Sequence, residues 1–103
     1  MLIEISKAYR ESFDALPRTY SKSQLEIIRK VMKLISDKKI QIGDYDNHHL
    51  GKLKVAKIDA FDCHPLYYDN HKIDLIILYG YGRKQKRVIF YDIGTHKQVL
   101  AKY

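Results

Sequence analysis

Apolar and polar positions follow two rhythms along this chain, and the rhythm changes near residue 40. Leu25, Ile28, Met32 and Ile35 recur three and four positions apart, with Val31 and Leu34 widening the row. Arg29, Lys30, Lys33 and Asp37 fall largely on the other side, so this stretch predicts an amphipathic helix with one dry face. Ser21-Lys22-Ser23-Gln24 directly before it has the capping-box spacing, in which the serine oxygen accepts from the third helical N–H and the glutamine reaches back. A shorter stripe of Tyr9, Phe13 and Leu16 predicts a first helix over Lys7–Leu16, ended by Pro17. Ahead of it, Leu2-Ile3-Glu4-Ile5 alternates briefly, as a strand does.

Beyond Lys38-Lys39 the helical spacing disappears. Ile40–Gly43 reads as a short extended piece ending at a turn, and polar Asp44–His49 as a loop. Leu53–Phe61 predicts a strand whose apolar phase slips, Leu53 and Val55 sharing one parity and Ile58 and Ala60 the other. Such a slip indicates a bulge or strong twist. Ile73–Tyr81 is almost continuously apolar, as a central strand covered on both faces would be, and Arg87–Ile93 is a second buried strand after a basic turn over Gly80–Arg87. Thr95–Leu100 closes the chain with a short helical turn. Helices first and strands after predict one α+β domain over residues 1–103. Two N-terminal helices would pack on a twisted, mainly antiparallel sheet of three to five strands, with a short C-terminal helix.

Composition adds charge and compartment. Nineteen Lys+Arg against 12 Asp+Glu give a net charge of +7 in 103 residues, a field that favours nucleic acid, the ribosome or an acidic protein. Cys63 is the only cysteine, so no disulfide can form within the chain, which suits a reducing compartment. The N-terminal residues lack the charged and apolar regions of a signal peptide. The longest uncharged apolar stretch, Leu75–Tyr81, is far shorter than the roughly 20 residues a membrane helix needs. A cytoplasmic protein without membrane contact is expected.

The chemistry-bearing residues lie in the second half. All five histidines follow residue 47. Cutting RNA through its own 2′-hydroxyl needs a base, an acid for the leaving oxygen and cations for the phosphate; histidine suits the first two, since either form is present near neutral pH. Taken singly, a histidine is more often a surface or capping residue. The turn Arg83-Lys84-Gln85-Lys86-Arg87, flanked by Tyr79 and Tyr81, offers charge and stacking surfaces of the kind RNA uses, although charged hairpin tips are as often simply solvated. His48-His49, Cys63-His64 and His71 could supply imidazole to zinc. The metal spacings C-x-x-C, H-x-x-x-H and H-E-x-x-H are missing, as is a phosphate-binding glycine loop, so no metal and no other cofactor is expected.

Length, charge and element order resemble the RelE/ParE toxin superfamily, and four motifs resemble its YafQ-like branch. Val88–Leu100, with Gly94-Thr95-His96, is similar to the branch's terminal strand and Gly-Thr-His step. Asn47-His48-His49-Leu50-Gly51 is similar to its His-Pro-Leu segment, Asp62-Cys63-His64 to its Asp-Cys-His step, and Asp74–Tyr79 to its acidic residue leading into a buried strand. Asp92-Ile93 stands where the branch carries an arginine, and Leu75 where a tryptophan commonly follows the acidic residue. The resemblance implies an mRNA endoribonuclease, ribosome-associated or free, the toxin half of a type II toxin–antitoxin pair that is neutralised by a small antitoxin in a hetero-oligomer. It implies catalytic roles for His96, His48, His64 and Asp74, with His71 competing for the role of His64 and Asp69 for that of Asp74. Arg83, Lys84, Lys86, Arg87, Tyr79 and Leu100 would contact RNA. The alternative is a non-catalytic module of the same fold that binds RNA or protein.

Overall fold

A computed structural model describes residues 2–52, 59–68, 70–82 and 86–102. The strands are β1 (Leu2–Ile5), β2 (His48–Lys52), β3 (Asp59–Cys63), β4 (Tyr67–Tyr68), β5 (His71–Lys72), β6 (Ile76–Tyr81) and β7 (Arg87–Gly94). The helices are α1 (Lys7–Ala15), α2 (Lys22–Ser36) and α3 (His96–Leu100). One sheet has the order β1-β7-β6-β3-β2; β1 lies parallel to β7 and the other neighbours are antiparallel. The α+β expectation holds, with two N-terminal helices and a short C-terminal one.

Both long helices start as the sequence predicts. Ser6 accepts from the Tyr9 N–H ahead of α1, and Ser21 and Gln24 complete a capping box ahead of α2. Leu25, Ile28, Val31 and Ile35 of α2 are buried with Tyr9 and Leu16 against Cys63, Ile77, Tyr79, Val88 and Phe90 of the sheet and Leu66 of the turn after β3. Each fully buried Ile or Val contributes about 1.5–3 kcal/mol. Met32 packs at the rim. The other face carries Ala60, Ile76 and Leu78, covered by Val99 of α3. The central strand β6 is therefore dry on both sides, as its unbroken apolar run requires.

Two local expectations change, a third falls outside the described residues, and one stretch holds a hairpin that the sequence did not predict. Ile40–Gly43 forms no strand: Gly43 sits at φ +97° and begins a turn through Asp46 instead. Strand β2 begins at His48, inside the segment expected to be loop, because His48 and His49 pair with Asp62 and Phe61. The bulge expected over 53–58 lies outside the described residues, while two register shifts are present elsewhere, at His49/Gly51 and Leu78/Tyr79. The stretch between His64 and Asp74 contains a small β4–β5 hairpin, in which Tyr67 and Tyr68 pair with Lys72 and His71.

Helix α3 has a capping box of its own: Thr95 accepts from the Gln98 N–H while Gln98 Oε1 accepts from the Thr95 N–H. Gly94 ahead of it leaves room for that cap. A Cβ there would lie 2.9 Å from Gln98 Oε1 and 3.4 Å from Val99 Cγ2. Gly94→Ala is expected to displace Gln98 and lower stability by about 1 kcal/mol, the usual worth of a helix cap, measured as a shifted urea midpoint.

Candidate active site

Three strand ends and one helix start meet at one end of the sheet. His48 opens β2, His64 follows β3, Asp74 precedes β6 and His96 opens α3 after β7. The register explains the meeting, since His48 pairs with Asp62, Cys63 with Ile77, and Ile76 with Gly94.

The groups form a connected row. The Asp74 carboxylate accepts from His96 Nδ1 at 2.5 Å and from the His96 backbone N–H at 3.2 Å. His96 Nε2 lies 3.0 Å from His64 Nε2. The His64 ring lies 4.5 Å from the Tyr67 ring and 5.5 Å from the His48 ring. The carbonyl oxygen of Asp46 accepts from both His64 Nδ1 at 3.1 Å and His48 Nδ1 at 2.5 Å. A carbonyl oxygen can only accept, so both Nδ1 atoms carry hydrogen. That leaves the Nε2 of His48 with its lone pair.

Exposure separates the roles. The side chains of His48 and His96 are 49% and 40% exposed, whereas that of His64 is 2% exposed. The two outer rings can meet a substrate, and the inner one links them. Burial alone would raise the Asp74 carboxyl pKa, but hydrogen bonds from the His96 ring and backbone outweigh it and hold the carboxyl below its ordinary value of 3.8. Asp74 is therefore charged throughout the neutral range and fixes His96 with hydrogen on Nδ1 and Nε2 toward His64.

Two acidic residues join the site that sequence reasoning did not assign to it. Asp62 is 3% exposed, and its Oδ1 has no hydrogen-bond partner among the described residues; His48 Nδ1 lies 3.5 Å from it. Asp46 Oδ2 lies 3.4 Å from His64 Nδ1. The signal was present as a repeated Asp-x-His, Asp46-Asn47-His48 and Asp62-Cys63-His64. In antiparallel neighbours this step sets each aspartate against the other strand's histidine.

Several expected contacts fall elsewhere. His96 meets His64 directly, and not His48. Tyr79, expected to stack on RNA, is 1% exposed and donates to Asn47 Oδ1 at 2.6 Å inside the helix-covered core. The described members of the basic turn, Lys86 and Arg87, stand at the opposite end of β7 from His96. Arg87 pairs with Glu4 at 3.4 Å, seven residues before Gly94, or roughly 23 Å along a strand. Arg83, Lys84 and Asp69 lie outside the described residues, as does the side chain of His71. Leu100 is 42% exposed on α3, four residues past His96. Asp92, where the resembling branch has arginine, is fully buried. It accepts from the Ile93 N–H and pairs with Lys102 at 3.2 Å, beside a cavity of about 430 Å³ between α1 and α3. His49 turns to the opposite face from His48, against Phe61 at 5.0 Å.

No protein-family model matches this chain, and a search of curated proteins gives no match. Solved structures match almost all of it. A metal-bound toxin from Helicobacter pylori superposes with TM-score 0.70 at 21% identity, over 96% of this chain and 98% of that one. The E. coli DinJ–YafQ complex gives TM-score 0.70 at 18% identity over 94% of each chain. The archaeal RelE–RelB complex of Pyrococcus horikoshii gives 0.66 at 10% identity, over 95% and 97%. The chain has the fold of these toxins. Among the described residues, no helix is long and apolar enough to cross a membrane.

Proposed function

We propose that this protein is the toxin of a type II toxin–antitoxin pair and cuts mRNA. The observation that carries the proposal is the row Asp74–His96–His64–His48, which sets two exposed imidazoles on either side of a buried one. One outer histidine removes the proton of an RNA 2′-hydroxyl, and the 2′ oxygen attacks the adjacent phosphorus. The 5′ oxygen leaves with a proton from the other, and a 2′,3′-cyclic phosphate remains. His64 hydrogen-bonds His96 and stacks on His48, which holds the two outer rings in place while water resets their protons, and Asp74 holds His96 in the working tautomer. Leu100, exposed and one helical turn past His96, offers an apolar contact for a base. The chain's +7 charge supports binding to mRNA and the ribosome, and its neutralisation by a small acidic antitoxin in the cytoplasm. Two of the structures with this fold, YafQ and RelE, were solved as complexes with DinJ and RelB.

The test uses purified protein and a short RNA. Cleavage should leave a 2′,3′-cyclic phosphate, and a single 2′-deoxy substitution should block cutting at that position only. Intact RNA, free and on the ribosome, would favour the second reading: a module that binds without cutting. That reading draws on the buried Asp92 in place of the branch's arginine.

Asp74→Asn is expected to slow cleavage on the order of tenfold or more, because the amide can present either hydrogen-bonding sense to His96. The same change alters acid stability. A carboxyl whose folded pKa is depressed stabilises the fold above its unfolded pKa, and that stability is lost as pH falls through the folded value. Urea midpoints followed from about pH 5 to about pH 2 should therefore drop less steeply for Asp74→Asn than for the parent.

A further inference from the structure

Two groups of side chains at this end of the sheet have the composition of a metal site, Asp46/His48/His64 and Asp62/His64/His96, each with its ligand atoms within 4.8 Å of one another. Their hydrogen bonds separate them. In the first group the nitrogens that face the Asp46 carboxylate are the Nδ1 atoms of His48 and His64, at 4.0 and 3.4 Å. Both are spent as donors to the Asp46 carbonyl, and a protonated ring nitrogen has no lone pair for a metal.

In the second group the hydrogens are on the outer nitrogens. His64 donates from Nδ1 to Asp46 and His96 from Nδ1 to Asp74, so without a further proton the Nε2 lone pairs of the two rings face each other across 3.0 Å. Lone pairs repel at that distance unless a cation lies between them. A proton can serve, and so can a metal. Tetrahedral zinc with bonds of about 2.0–2.1 Å holds its nitrogens roughly 3.3 Å apart, close to the spacing found. Asp62 Oδ2 is 4.0 Å from His64 Nε2, on a carboxylate that is buried; its other oxygen, Oδ1, faces His48 Nδ1 at 3.5 Å. Both ligating histidines already have the outer hydrogen-bond acceptors that metal-bound imidazoles use, Asp74 for His96 and the Asp46 carbonyl for His64.

We propose that Asp62, His64 and His96 bind one borderline transition-metal dication of the zinc, cobalt or nickel kind, with a fourth position open to solvent beside His96. Imidazole ligands select this class over magnesium and calcium, which take oxygen. A dication on these Nε2 atoms excludes the proton that they would otherwise share, so occupancy should stop RNA cleavage; this consequence rests on the function proposed above.

Cobalt(II) and zinc(II) added to the purified full chain test it, by visible absorption and calorimetry. The expected result is one ion per chain, with the intense visible bands of four-coordinate cobalt. Asp62→Asn and His96→Gln should weaken binding at least as much as Asp74→Asn, whose loss of the outer hydrogen bond is expected to cost about 10–100-fold. Asp46→Asn, which keeps the backbone carbonyl, should bind as the parent does. Asp74 is exposed, so its variant should fold even if a change at buried Asp62 does not, and circular dichroism of each variant separates unfolding from lost ligation. No binding at millimolar metal, or binding lost in Asp46→Asn and kept in Asp62→Asn, overturns the site. Cleavage assays in chelator and in zinc complete the test. RNA cut in chelator and spared in zinc supports inhibition, and RNA cut only with zinc overturns it. RNA intact in both, with zinc still bound by Asp62 and His96, leaves the site standing and shows that the nuclease proposal has failed.

Discussion

His96→Ala is expected to slow RNA cleavage by at least about 100-fold and to abolish growth arrest on expression, the scale of one positioned acid–base group. The His96 ring links the Asp74 carboxylate to His64 Nε2, so its removal cuts Asp74 off from the other histidines. Folding should survive. The side chain is 40% exposed, and α3 keeps its Thr95–Gln98 cap and its buried Val99 without it. His48→Ala should also depress the rate, since its exposed Nε2 is the other candidate for meeting RNA, whereas Leu100→Ala should cost less and act through packing against a base. Single-turnover rates with each purified variant, alongside urea midpoints, check the set. A His96→Ala protein that cuts as fast as the parent removes the ring from the mechanism. One that fails to fold makes His96 a structural residue.

The parts of this molecule legible in its sequence are those governed by local periodicity. The stripe from Leu25 to Ile35, the Ser21 capping box of α2, the dry run of β6 and the Gly-Thr-His step each depend on residues within a few positions. Pairing across the sheet is different. Nothing near Leu2–Ile5 announces that β1 crosses the fold to lie parallel to β7, because that choice is set by α1 packing onto β7. Nor does spacing show that His48, His64 and His96 converge, since 16 and 32 residues separate them. Their meeting depends on the β2–β3 and β6–β7 registers, and each register contains a shift. Lys86 and Arg87 follow Tyr79 and Tyr81 closely in the chain. Chain order could not show that these two cations lie a full strand length from His96.

Tyr79 makes this distinction measurable. Next to a basic turn, a tyrosine offers a stacking surface for RNA; in the folded chain it is instead a core residue with a polar anchor. Its ring stacks on Phe61 at 5.3 Å and meets Tyr81 edge-on at 5.8 Å. Burial pushes its hydroxyl pKa well above the ordinary tyrosine value, so it stays protonated and donates to Asn47 Oδ1. Asn47 is itself 3% exposed and sits between Asp46 and His48, so this hydrogen bond ties the core to the histidine row. Tyr79→Ala is expected to cost about 3–5 kcal/mol, the usual effect of deleting a large buried ring, a large share of a small domain's stability. Tyr79→Phe keeps the ring but leaves the buried Asn47 oxygen without its donor, for about 1–3 kcal/mol. Both should appear as lowered urea midpoints. RNA affinity of the folded Phe variant, measured by gel shift on a cleavage-deficient His96→Ala background, should match that of His96→Ala alone. A Tyr79 variant with an unchanged midpoint and weakened RNA binding would return the ring to the RNA surface, and would mean that β6 presents its other face to the helices.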